Sequence, residues 1–456
     1  MHDIVEYFTR NFLPQPHESI RRKIGIEIEL PVVESNGTTV KYSTIQRFFD
    51  WLENNGWRTT VDAGTGEKVA AERSVSAGKG RFGYDKDIIG TDVGYCTLET
   101  SLSPENDLFK LVEHWQKIKG TLLEFFGPAG CHLLGYGIQP ISPPSRKLIA
   151  KKGRYLLMVQ DSLNRGQDLN LFAISASSQC HIDIFRDEAI RAVNVMNGIA
   201  PLLSAVTSNS SIWKGVSDPE WSDVREIFWD KGWSNRIEQT GIPDEFSDFT
   251  DYVNRLCQFR PLMIQRGNEY IKIVGHKTFG DFMRAKTLSV GQTVSGKSVQ
   301  LESRTDDIQF HSGFAWWQAR LAPKFGTIEV RACAQQPENA MFCIAAFALG
   351  LIENLPKSYE LYKRYSHAEW RKLRVDVLRH SLRATMQDDP ITPLIEQALQ
   401  IAREGLQKRE LGEEKFLDIL DQRVQKKQTV ADEVRACFDR NNLQPFFDLV
   451  DIRHNT

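Results

Sequence analysis

Apolar and polar residues alternate along residues 23–30, with Ile24, Ile26, Ile28 and Leu30 on one face and Gly25, Glu27 and Glu29 on the other. This is the period of a strand that turns one face to a core and presents two carboxylates on the other, about 7 Å apart. The alternation recurs three times. Over residues 95–102, Cys96, Leu98 and Thr100 oppose Tyr95, Thr97 and Glu99; over 178–185, Cys180, Ile182 and Ile184 oppose Gln179, His181 and Asp183. Residues 327–331 set Ile328 and Val330 against Thr327, Glu329 and Arg331. Four strands are therefore expected to carry acids, one histidine and one arginine on faces turned from the core.

Helical spacing separates these strands. Ser43 is placed to cap a helix with the stripe Ile45, Phe48, Phe49 and Leu52, ending at Asn55-Gly56. Ser103-Pro104-Glu105 reads as a cap followed by proline at the first helical position, with Leu108, Leu111, Val112, Trp115, Ile118 and Leu122 leading to Gly127-Pro128. Asp187 opens a helix through Ile190, Val193, Met196 and Ile199, and Pro201 marks a kink or a new segment. A short strand is expected over 133–138 and strand character over 314–331. Residues 57–94 read as a Gly- and charge-rich connection, and 213–230 as a Trp-rich loop holding Trp213, Trp221, Arg225 and Trp229. Gly78-Lys79-Gly80-Arg81-Phe82-Gly83 has the spacing G-x-G-x-x-G, but no helical periodicity follows it, so a hairpin tip or loop is expected there.

From Glu338 onward the pattern is helical almost throughout. An apolar helix runs to about Asn354, later segments begin near Ser366 and Thr392-Pro393, and the stripe Phe416, Leu417, Leu420 and Val424 has charged residues on its other faces. This divides the chain into an expected sheet-bearing catalytic domain, 1–355, and a helical region, 356–456, packed on it. The fold class is α+β.

Composition narrows the function. The 456 residues are 41% hydrophobic and 25% charged, with a formal net charge of -2, which argues against nucleic acid or an anionic membrane as the main partner. The apolar run 340–352 is too short to span a bilayer, and Met1 to Arg10 lacks the apolar stretch of a signal peptide. Seven scattered cysteines, none spaced as C-x-x-C, point to reduced thiols and a cytoplasmic location. Small-molecule substrates are the expected partners.

Acids and an imidazole on one sheet surface match how magnesium-nucleotide sites are built, from carboxylate oxygens with arginine beside them. The pieces Lys23-Ile24-Gly25-x-Glu27-x-Glu29, Leu98-Glu99-Thr100, Gly135-x-Gly137-Ile138-Gln139-Pro140, Lys152-Gly153-Arg154-Tyr155, the strand around His181, Asn209-Ser210-Ser211 and Ile328-Glu329-Val330-Arg331 stand in the order seen in one family. Over roughly residues 20–350 the chain resembles the glutamate-cysteine ligases of plant and bacterial type and related carboxylate-amine ligases, with a glutamine-synthetase-like fold. The resemblance implies a curved antiparallel sheet with flanking helices, bound Mg2+, and ATP used to convert a substrate carboxylate into an acyl phosphate that an amine attacks. It implies Glu27, Glu29, Glu99, His181 and Glu329 as magnesium ligands and Arg331 on the transferred phosphate. Arg154, Tyr155 and Arg225 are implied at the substrate's α-carboxylate, where planar guanidinium groups suit bidentate contact. Asp183 is the candidate to take the amine's proton. Cysteine's amine attacking the γ-carboxylate of glutamate is the first expectation. A different amine acceptor, a guanidino-type phosphotransferase and a non-catalytic binding protein stay open.

Overall fold

The computed structural model describes residues 2–14, 21–75, 85–163 and 168–453. The G-x-G-x-x-G stretch, 78–83, lies outside the described residues. The site is built on one large antiparallel sheet formed by β1 (Ile24–Val33), β2 (Arg58–Val61), β3 (Lys68–Ser74), β4 (Lys86–Thr91), β5 (Thr97–Ser101), β6 (His132–Leu133), β7 (Ser177–Asp183), β8 (Ala319–Ala322) and β9 (Thr327–Ala334). Its order is β8-β9-β7-β1-β5-β4-β3-β2, with β6 paired to the far end of β1. The four alternating segments thus become four adjacent strands, β9-β7-β1-β5, as an α+β sheet protein requires.

The alternation decides which face is covered. Ile24, Ile26, Ile28 and Leu30 of β1 and Cys180 and Ile182 of β7 are buried. Helix α1 (Tyr42–Asn54) buries Ile45, Phe48, Phe49 and Leu52, and α2 (Leu108–Phe126) buries Leu108, Leu111, Trp115, Ile118 and Leu122. The caps differ from expectation. Lys41 precedes α1 without a side-chain cap, and Asp107 caps α2 by accepting from Phe109 N at 2.8 Å. Ser103 is instead tied to β4, its N–H donating to Asp87 at 2.9 Å.

Other expected elements are also redrawn. Of the 133–138 segment only Leu133 belongs to the strand paired with β1, together with His132 before it, because Gly135 N turns away to Val450 O and Gly137 N to Asn209 O. Among the described residues, 57–94 hold three strands, β2, β3 and β4, rather than one connection. The Trp-rich loop contains α5 (Val224–Gly232), preceded by α3 (Gly153–Leu163) and by α4 (Ala189–Thr207), which runs unbroken through Pro201. The 314–331 strand is divided into Trp316–Trp317, β8 and β9, with a turn at 323–326. A separate four-stranded sheet, Met263–Arg266, Glu269–Val274, Ser289–Thr293 and Ser298–Leu301, has no counterpart in the sequence reading.

Helix α4 has the length and apolar composition of a membrane-crossing helix, but 89% of that stretch is buried inside the protein, where it lies on β8 and β9. The C-terminal residues add α7 (His367–His380), opened by a Ser366–Glu369 capping box, and α8 (Thr392–Gln407), which packs on α6 (Cys343–Glu353). The α6–α8 crossing needs two glycines. A Cβ on Gly350 would stand 2.2 Å from Ala402 O, and one on Gly405 would stand 2.0 Å from Gly350 O. Gly405→Ala is therefore expected to destabilise the protein by about 1–3 kcal/mol, read as a lower urea midpoint at unchanged slope. An unchanged midpoint would mean that the helices part without cost.

Candidate active site

Antiparallel pairing sets the polar face in register. His181 lies directly across from Glu329 on one side and Gly25 on the other, while Glu29 lies directly across from Glu99. The acids and histidine converge in two groups rather than one. Ligand atoms of Glu27, His181 and Glu329 lie within 4.8 Å of one another, and those of Glu29, Asp92 and Glu99 form a second such trio. Asp92 was not among the expected residues. It stands just beyond β4, where no alternation marks it.

The trios differ in charge. Glu329 is gripped by Arg320, at 2.6 and 3.0 Å, and by Arg331 Nη1. Burial alone would raise its pKa, but these guanidiniums and His181 hold the carboxyl well below the usual range. Arg320 entered this site through its pairing opposite Glu329, which sequence alone does not reveal. His181 Nδ1 meets Thr327 Oγ1 at 2.9 Å, and its Nε2 lies 3.5 Å from Glu27 and 3.8 Å from Glu329. Burial disfavours the charged imidazole, but Glu329 and Glu27 outweigh it and raise the pKa.

The second trio carries excess negative charge. Burial, with Glu27 and Asp92 nearby, pushes Glu99 up to about 8 against the opposing pull of Lys152 and Arg154. Burial and Asp92 likewise raise Glu29 well above its ordinary value, although Arg225 opposes this. Glu29 also accepts from Ser177 N at 2.5 Å and Gln179 Nε2 at 2.9 Å. Three crowded carboxylates, Glu29 and Glu99 among them pushed toward neutrality by burial, fit a divalent cation of the magnesium type, which takes carboxylate oxygens. The first trio offers carboxylate and imidazole donors, with Glu329 already engaged by arginine.

Two cavities flank the trios. The first, about 320 Å³, is lined by Lys23, Glu27, Lys86, His181, Asp183 and Lys324 among others. Asp183 accepts there from Lys23 N at 3.1 Å, so the structure places it away from the expected carboxylate-binding arginines. The second, about 80 Å³, is lined by Glu29, Asp92, Arg154, Tyr155, Arg225 and Arg331, with Trp229, Trp233 and Trp316 on its wall. Arg154, Tyr155 and Arg225 thus come together. Tyr155 donates to Asp92 at 3.2 Å, and the buried Nε atoms of Arg154 and Arg225 have no hydrogen-bond partner among the described residues. Arg331 lines this cavity while bonding to Glu329 of the first trio and, at 2.7 Å, to Gln179.

Two sequence motifs act as buttresses. Asn209 Nδ2 donates to Gly135 O at 2.8 Å and Gln335 O at 2.7 Å, while Ser210 Oγ donates to Asp223 at 2.6 Å and accepts from Arg225 N at 3.1 Å. They hold the start of α5, and hence Arg225, against the sheet.

Comparisons with known proteins agree with this architecture. The sequence profile of the family described as "Glutamate-cysteine ligase family 2" matches residues 23–448. The chain is similar to "Glutamate--cysteine ligase A, chloroplastic" of Oryza sativa subsp. indica, 25% identical over 300 residues that cover 64% of this chain and 58% of that protein. It is also similar to the chloroplastic glutamate--cysteine ligase of Arabidopsis thaliana, 26% identical over 342 residues covering 72% and 60% of the two chains. The chain thus spans well under two thirds of these relatives' length. In fold it matches a glutamate--cysteine ligase from Francisella tularensis solved in complex with AMP, with a TM-score of 0.58, 12% identity, and coverage of 93% and 85%.

Glu99 yields a pH prediction. Its carboxyl holds the proton more tightly folded, with a pKa of about 8, than at the ordinary 4.5, so the unfolded chain releases it first as pH rises. In chelator, stability is expected to fall between about pH 4.5 and 8, and Glu99→Gln should flatten that fall in urea titrations. An identical slope in the variant would contradict this assignment.

Proposed function

The chain belongs to glutamate-cysteine ligase family 2, and from that premise we propose that it is an ATP- and magnesium-dependent carboxylate-amine ligase. The substrates we assign are the γ-carboxylate of glutamate and, first among amines, that of cysteine. The observation that carries this reading is the pair of carboxylate trios set between a lysine-lined cavity and an arginine-lined one.

The first cavity suits the nucleotide. Its three lysines supply cationic contacts for phosphates, and its size falls within the range of small-ligand pockets. The fold neighbour from Francisella tularensis was solved in complex with AMP, which accords with nucleotide use by this chain. Glu27, His181 and Glu329, with Glu29, Asp92 and Glu99, would hold magnesium, which supplies positive charge to the transferring phosphoryl group. Arg154 and Arg225 bind the amino acid's carboxylate in the second cavity, and Tyr155, fixed by Asp92, closes its side. Arg331 lies between the cavities, suited to stabilising charge on the transferred group. The phosphorylated carboxylate then has a good leaving group, and the neutral amine displaces it. In this reading Asp183 faces the nucleotide side, and deprotonation of the amine falls to another group.

A second reading keeps the chemistry and changes the acceptor. Trp316 stacks on Trp233 at 4.5 Å and on Trp229 at 5.9 Å, forming an indole wall that suits an amine larger and more apolar than cysteine. A guanidino-type phosphotransferase with a reactive thiol is less well supported, because burial raises the pKa of all seven cysteines.

ATP-dependent phosphate release is expected only when glutamate and an amine are both present, and a mass-resolved panel of amines should identify the product. Phosphate release indifferent to the amine would exclude a ligase. Arg331→Ala is expected to lower kcat by about 10²–10³-fold, the usual loss for a preorganised charge-stabilising donor. Glu27→Gln should abolish magnesium-dependent turnover with the circular-dichroism spectrum retained; a variant that turned over normally would remove Glu27 from the metal site.

A further inference from the structure

Arg225 belongs to a buried ion network that reaches into the C-terminal helices. Its Nη1 donates to Glu226 Oε1. The other oxygen of Glu226 accepts from Gln318 at 3.1 Å and lies 3.9 Å from Arg374 Nη2 on α7. Arg374 also donates to Glu226 O at 3.3 Å and, through Nη1, to Asp230 at 3.0 Å. Arg225, Glu226 and Arg374 are 2%, 1% and 6% exposed. Glu226 is thus a buried carboxylate between two guanidiniums, one facing the substrate cavity and the other arriving from behind.

We propose that Arg374 is a positioning residue for the donor acid, sharing the charge of Glu226 so that Arg225 stays oriented and electropositive toward the second cavity. The proposal rests on Arg225 binding the donor's carboxylate. Without Arg374, the Glu226 carboxylate is left to Arg225 and the uncharged Gln318, and its field works against an incoming carboxylate. Helix α5 also loses its Glu226–Arg374 tie to α7, while Ser222 N and Asp223 N still donate to Leu378 O at 2.9 and 3.0 Å. The helical region after residue 355 thereby contributes to substrate binding as well as covering the core.

Arg374 can be tested chemically because its far side is open. With Gly241, Trp317 and Asp230 it lines a third cavity of about 740 Å³, and even a Cβ on Gly241 would stand 4.0 Å from its Cζ. A guanidinium ion can therefore reach the space that Arg374→Ala vacates.

The experiment compares Arg374→Ala, Arg225→Gln and the double variant in ATP-dependent phosphate release. Arg374→Ala is expected to raise KM for glutamate about tenfold, as loss of a charge-assisted contact does, with KM for ATP unchanged. Millimolar guanidinium chloride, far below denaturing levels, should reverse part of the rise. The double variant should be no worse than Arg225→Gln alone, because both act on one contact. If Arg225→Gln raises KM for glutamate and Arg374→Ala does not, the positioning role is wrong. If Arg225→Gln leaves KM unchanged, the assignment of Arg225 itself fails. Should Arg374→Ala not fold, Arg374→Gln keeps hydrogen-bonding groups at the position and removes the charge, and its KM for glutamate should still rise; an unchanged value overturns the proposal.

Discussion

Glu29 and Glu99 sit directly across from each other on neighbouring strands, with Asp92 beside them; Glu29 is buried and the other two are half-buried. Like charges in that geometry repel, and burial removes the solvent that would screen them. The surrounding structure answers that cost. Ser177 and Gln179 donate to Glu29, Arg225 stands near it, and Lys152 and Arg154 oppose the rise in the Glu99 pKa. What remains is a site short of positive charge, to which a divalent cation is the complementary ligand.

The first trio is nearly the opposite. Glu329 is neutralised by Arg320 and Arg331, and the His181 ring is held by Thr327. Two differently charged groups on one rigid sheet give the proposed reaction distinct poles. Arg331 joins them, bonded to Glu329 yet lining the cavity that contains Glu29. The sheet itself supplies this precision, since a one-residue slip between β1 and β5 would turn Glu99 to the core face. The helices behind it serve the same end, with α5 presenting Arg225 and α7 presenting Arg374 to the carboxylate of Glu226.

Period-two alternation determined which residues of β1, β5, β7 and β9 face the core and which form the polar surface, because side-chain direction along a strand is a local property. Apolar stripes likewise marked the bodies of α1, α2 and α4. Local signals failed where a partner distant in sequence decided the outcome. Ser103 bonds to Asp87 instead of capping a helix, and the 133–138 segment leaves the sheet for Asn209 and Val450. The tertiary structure alone divided the expected metal set into two trios. It also recruited Asp92 and Arg320, separated Asp183 from the arginines and joined Arg374 to Arg225, because each depends on strand order or helix packing that no local periodicity encodes.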